Sequence, residues 1–168
     1  IGSVYAAELT FELTMQLDNP YMLEGAIVSL NQGIETASGV EYVPLGIFNA
    51  YDPQRQIDGV SIQAFDNMIL LDKDLSGLPT SGTPYQLETA LSSKCGVTLS
   101  TTLAQFAVFA NSDLTLTIPA NSSIKTCRDL LMWVCQVTCT FARFDRYGGL
   151  ELIAVTGRAP VRTISAED

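Results

Sequence analysis

The segment GVSIQAFDNMILLDKDL, from Gly59 to Leu75, changes its hydrophobic period in the middle. Val60, Ile62 and Ala64 alternate with Ser61 and Gln63, the two-residue period of a half-buried strand. At Asp66 the alternation stops. Asp66 suits a helix N-cap, and Met68, Ile69, Leu71 and Leu75 then share one helical face. A strand that runs straight into a short helix leaves no flexible linker. The segment predicts a rigid joint between two structural units, and it carries no catalytic pattern.

The chain on either side differs in character. Before the joint, Ala7, Leu9, Phe11, Leu13, Met15 and Leu17 alternate with polar residues, a long strand with one wet face that Asn19-Pro20 ends. Gly25 to Leu30 predicts a second strand, and Asn31 to Gly39 a turn-rich stretch. Val40 to Tyr51 is strand-like, with Pro44 and Gly46 marking an edge or bulge, and Asp52-Pro53 opens a polar loop. After the joint, Thr83-Pro84-Tyr85-Gln86 has the form of a capping box, and Gly96 closes that helix. Val97 to Leu99 and Leu114 to Ile118 predict short strands. A second helix is expected from Ser122 or Ser123, burying Ile124, Cys127, Leu130, Leu131, Val134 and Thr138. Phe141 to Asp145 and Leu150 to Val155 form a hairpin across Tyr147-Gly148-Gly149, and the tail from Gly157 is a linker or a further strand.

These signals predict an α+β protein. A small antiparallel β-barrel-like unit occupies residues 1–66. An α/β unit follows at 67–168, with helices near 84–95 and 123–139 and a C-terminal hairpin at 141–155. The 168 residues suffice for two small units that share a boundary. The chain starts at Ile1 without an initiator Met, which is expected of an excised fragment.

Composition narrows function mostly by exclusion. The net charge is −9 with no basic run, a poor match for nucleic acid or an anionic membrane surface. The densest apolar run, Leu130 to Ala142, is broken by Gln136, Thr138 and Thr140; it falls short of the ~20 residues of a membrane span. Hydrophobic residues make up 47% and charged ones 16%, below the roughly 25% charged fraction usual in soluble domains. That excess suits contacts with neighbouring subunits or a tight β-rich core.

Histidine is absent, which removes His-based nucleophile systems and HExxH zinc sites. The chain has no P-loop and no dinucleotide fingerprint. Carboxylate chemistry remains open, but eighteen acids single out no pair. Asp72-Lys73-Asp74-Leu75-Ser76-Gly77 begins like a calcium loop, yet its twelfth position is Thr83 rather than a bidentate Glu, so it reads as a polar turn. Asn121-Ser122-Ser123 is a formal sequon that reads more simply as a helix start. Trp133, the single tryptophan, is expected to pack beside the second helix's buried stripe. Cys95, Cys127, Cys135 and Cys139 form no CxxC pair and are expected to be buried, reduced thiols, in keeping with assembly in a reducing cytoplasm. No catalytic, cofactor-binding or metal-ligating residues are assigned.

Three segments, EYVPLGIFNAYDP (Glu41–Pro53), GVSIQAFDNMILLDKDL (Gly59–Leu75) and CRDLLMWVCQVTCTFARFDRYGGLEL (Cys127–Leu152), carry a resemblance by their order and spacing. Together they resemble the baseplate hub, or tail-tip hub, proteins of tailed bacteriophages and prophages, especially those of Gram-positive hosts. The likeness covers roughly residues 41–155. The chain departs from it at Thr138-Cys139-Thr140, where the family often has a Gly, and at the turn Tyr147-Gly148-Gly149. The resemblance implies a virion component at the tail tip, made and assembled in the host cytoplasm. It implies a homo-oligomeric ring, a trimer, that joins the distal tail protein and the tape-measure protein to the downstream spike or fibre. It implies neither membrane insertion nor direct nucleic-acid binding, no enzyme activity in this chain, and any lytic activity in a region beyond it. Acidic residues lining such a ring would let DNA slide through without sticking. Two rival classes are a tail-associated peptidoglycan hydrolase using a carboxylate pair and a module that binds host cell-wall carbohydrate. The polar face of the long first strand and the stretch Asp52 to Asp58 are the expected contact surfaces.

Overall fold

The computed structural model describes residues 2–15 and 17–155. The predicted role of the tail from Gly157 lies outside the described residues. The fold is α+β. Four strands, β1 (Glu8–Leu13), β2 (Ile27–Thr36), β3 (Gly39–Gln56) and β4 (Gly59–Asp66), form one antiparallel sheet in the order β1-β4-β3-β2. On β1, Leu9, Phe11 and Leu13 are half-buried and Glu8, Thr10 and Glu12 are exposed, as the alternation predicts. Ala50, Val60 and Ile62 form a small core under Phe11, Leu13, Leu17, Leu23, Ala26 and Val28. A 3₁₀ turn at Pro20–Leu23, capped by Asn19, brings Leu23 onto that face.

The sheet is open rather than barrel-like. β1 and β2 are its two edges and do not pair among the described residues. Closing a barrel requires the two edge strands to hydrogen-bond to each other.

The stretch 31–39, expected as turns, is instead mostly strand. β2 and β3 pair from Ile27↔Asn49 to Thr36↔Gly39 with one register shift at Leu30/Asn31, and only Ala37-Ser38 turns. Gly39 has φ +126°, and Thr36 Oγ1 donates to the Gly39 carbonyl at 2.7 Å. Gly33 keeps the strand because Val40 and Tyr42 lie over its missing side chain. β3 bulges twice. The first bulge skips Leu45, next to Pro44, and the second falls between Tyr51 and Gln54, where Asp52 has φ +46°. The expected polar loop at Asp52-Pro53 is therefore an irregular strand that still pairs with β4.

Beyond the sheet come β5 (Ser81–Gly82), α1 (Pro84–Cys95), α2 (Leu103–Phe106), β6 (Leu116–Thr117), α3 (Cys127–Val137), β7 (Thr140–Phe144) and β8 (Leu150–Ala154). β5 pairs with β6 and β7 with β8. The capping box predicted at Thr83 and Gln86 opens α1, and Gly96, at φ +75°, ends it. α3 starts at Cys127, later than expected, because Thr126 and Asp129 make the reciprocal cap while Ser122 stays in a turn from Pro119. α2 is a third helix, short and unforeseen. Its own Thr102–Gln105 capping box was the available signal. Val97 to Leu99 is not a full strand; Leu99 makes one parallel bridge to Leu150.

Leu87 and Leu91 of α1 meet Leu130, Leu131 and Val134 of α3 in the larger core, all five fully buried. Met68, Leu71, Leu150 and Phe106 complete it. The first residues of the chain also belong here: Gly2 N–H donates to Thr140 O, Ala142 N–H to Ser3 O, and Val4 and Ala6 pack on this core.

Candidate interaction surface

At the joint, Asp66 ends β4 and its carboxylate accepts from Met68 N–H at 3.0 Å. The turn it caps, Asn67–Leu71, is 3₁₀ rather than α. Burial raises the Asp66 pKa, against hydrogen bonds from the Ala7 segment and Met68. Asn67 reaches both ways. Its Oδ1 accepts from Asn49 Nδ2 on β3, and its Nδ2 donates to Gly148 O in the β7–β8 turn, each at 2.9 Å. Arg128 on α3 donates to Met68 O at 2.9 Å and pairs with Asp72 at 2.7 Å. The joint is thus held by β3, by the last hairpin and by α3 through side chains that are half-buried and hydrogen-bonded.

That hairpin turn is ordered by one carboxylate. Asp145 Oδ1 accepts from Tyr147 and Gly149 N–H, and Oδ2 from Ser100 Oγ. Burial pushes Asp145 up, and these bonds outweigh it and hold the group below its ordinary range. Gly148, at φ +80°, sits against Asn67 and Ile47.

The residues considered earlier for chemistry have structural partners. Asp72 pairs with Arg128, Asp74 with Lys94 at 3.1 Å, and Thr83 caps α1. Hydrogen bonds from Ser76 and the nearby Lys94 lower the Asp74 pKa to about 2. No three His, Cys, Asp or Glu residues are grouped to hold a metal ion among the described residues. Trp133 is half-buried on the larger core. Cys95, Cys127 and Cys135 are buried free thiols and Cys139 is half-buried. Desolvation pushes Cys127 and Cys135 up to about 12.

One acid was not foreseen. Glu88 on α1 is fully buried, and neither of its carboxylate oxygens has a hydrogen-bond partner among the described residues. Burial pushes its pKa up to about 8. Nearby are Ser92, whose hydroxyl is also unpartnered, and the Cys135 thiol of α3. Glu88 is interior through tertiary packing of α1, with Cys135 of α3 close by, which local sequence does not signal.

The outer surface is most distinctive on the β2–β3 arm. Every residue from 31 to 42 is exposed. Tyr42 is 73% exposed, Val40 53% and Ile34 46%. No helix among the described residues is long and apolar enough to cross a membrane.

No protein-family model matches the chain, and no curated protein does. Among solved structures, it is similar to the 43 kDa tail protein of prophage MuSo2 from Shewanella oneidensis, at 15% identity and a TM-score of 0.45. The match covers 86% of this chain and 43% of that protein, so the chain spans less than half of its length.

Proposed function

We propose that this chain is a structural component of a phage or prophage tail tip, part of a baseplate hub. It assembles as a ring, a trimer, that connects the distal tail protein and the tape-measure protein to the spike or fibre. One observation carries the reading. The third of the segments that resemble tail hubs lies far along the chain from the first two, yet all three meet at one knot of side chains. Asn49 of the first bonds to Asn67 of the second, and Asn67 bonds to Gly148 of the third. Arg128 of the third returns to Met68 and Asp72 of the second. These contacts lock a sheet against a helix-bearing unit, which is what a load-transmitting ring requires of its subunit.

Acidic side chains lining the lumen of such a ring would repel DNA and keep it mobile. An assembled ring with an acidic outer wall and a neutral or basic lumen would refute that part. The assembly itself is tested by light scattering on the full parent protein. A particle of three subunit masses is expected, and a strictly monomeric parent would overturn the ring. A peptidoglycan zymogram tests the hydrolase alternative, and no clearing is expected from this chain.

A further inference from the structure

The last rung that β4 gives to β3 on the outward side is Phe48↔Asp66. Beyond it, among the described residues, strand residues 31–44 of β2 and β3 pair with each other alone. An isolated two-stranded hairpin is marginal in water, yet this ribbon carries apolar side chains on both faces. Cross-strand partners share a face. The register therefore places Tyr42 and Val40 with Gly33 and Glu35 on one side, and Ile34 and Val43 with Glu41 and Gln32 on the other. Each face pairs a bulky apolar patch with one exposed carboxylate. Among the described residues the outer edge of β2 pairs with no further strand.

Charge says what can cover it. Nine of the eighteen acids fall in residues 1–66, with Arg55 the single cation there. Arg55 is engaged with the carbonyls of Leu17 and Asp18. Of the nine acids only Asp66 is buried. Such a field repels nucleic-acid phosphates and anionic headgroups. A second copy brings the same field: its Lys94, Arg128 and Arg143 are paired with Asp74, Asp72 and Glu151, its Lys73 reaches the carbonyls of Lys94 and Cys95, and its exposed Lys125 and Arg146 are outnumbered by the exposed acids of its own residues 1–66.

We infer that the β2–β3 ribbon is a tongue that inserts into a basic, apolar-lined groove of a different protein. Tyr42, Val40 and Ile34 supply the buried contacts, and Glu35 and Glu41 orient them against lysines or arginines of the groove. Main-chain pairing along β2 adds to both. The inference does not depend on the ring: the identity of the protein captured tests the tail assignment, and its charge tests the tongue.

The experiment places p-benzoylphenylalanine at Tyr42 in the full chain, expressed in cells that produce the protein from its own locus. Irradiation and peptide mapping follow, with the same replacement at the exposed Tyr147 as the control position. The expected product is a cross-link from position 42, not 147, to a lysine- or arginine-rich surface of another protein. The double variant Glu35→Lys, Glu41→Lys should lower its yield roughly tenfold or more, with an unchanged circular dichroism spectrum. A cross-link to a second copy, to an acidic surface, to lipid or to nucleic acid would overturn the inference. So would no cross-link at 42, or a yield that charge reversal leaves unchanged.

Discussion

Replacing Glu88 with Met should change how stability responds to pH. In the native protein burial moves the Glu88 pKa from 4.5 to about 8. Between those values the folded state holds a proton that the unfolded chain has released. The unfolded state therefore binds fewer protons, and stability falls as pH rises through the window. At about 1.4 kcal/mol per pKa unit, the loss is about 3 kcal/mol by pH 7 and approaches about 5 kcal/mol above pH 8. That is a large fraction of the roughly 5–15 kcal/mol that holds a typical domain together. The neighbours leave the window to Glu88, since Ser92 does not titrate and the Cys135 thiol is pushed up to about 12. Glu88→Met has similar volume and no ionisable group. Urea unfolding at pH 5, 7 and 8, followed by the fluorescence of Trp133 on the same core, measures both proteins. The difference between variant and native stability should grow in favour of Met by several kcal/mol from pH 5 to pH 8. Parallel pH profiles would refute the reasoning, because they would mean that Glu88 is charged or hydrated in the fold.

Three further substitutions probe the joint and its supports. Asn67→Ala removes both side-chain bonds at the knot and leaves Asn49 Nδ2 only its long bond to Phe65 O at 3.5 Å; a loss of about 1–2 kcal/mol is expected, with faster hydrogen exchange in the β7–β8 turn. Thr126→Ala breaks the reciprocal cap with Asp129 and should lower stability by about 1 kcal/mol in denaturant titrations. Gly59→Ala drives a methyl group into the Leu13 carbonyl; exchange protection across β1 should drop while that of α1 and α3 holds.

Parts of this structure can be read from the sequence because their causes are local. Asp66 ends a strand and caps a turn in the same few residues, and Thr83-Pro84-Tyr85-Gln86 is a self-contained helix start. The heptad-like spacing of Cys127, Leu130, Leu131 and Val134 marks the buried side of α3. The ribbon is different. Asn31, Gly33 and the Ala37-Ser38-Gly39 run favour turns, and a strand survives there only because β3 pairs with it and Tyr42 covers Gly33. The open sheet follows from which edges find partners, a tertiary fact that alternation along one strand does not encode. Glu88 and the Asn49–Asn67–Gly148 contacts join residues far apart in the chain. Asp52 to Asp58, expected as a polar loop, is a bulged strand and its turn, exposed apart from Pro53.

The claim that this is a tail-tip component is tested most directly on assembled particles. Gold-labelled antibody raised against the exposed β7–β8 turn at Tyr147 would be imaged by electron microscopy on particles from a producing strain. Label confined to the tail tip is the predicted result. Particles that lack the protein, or carry label on the capsid or along the tube, would contradict the account.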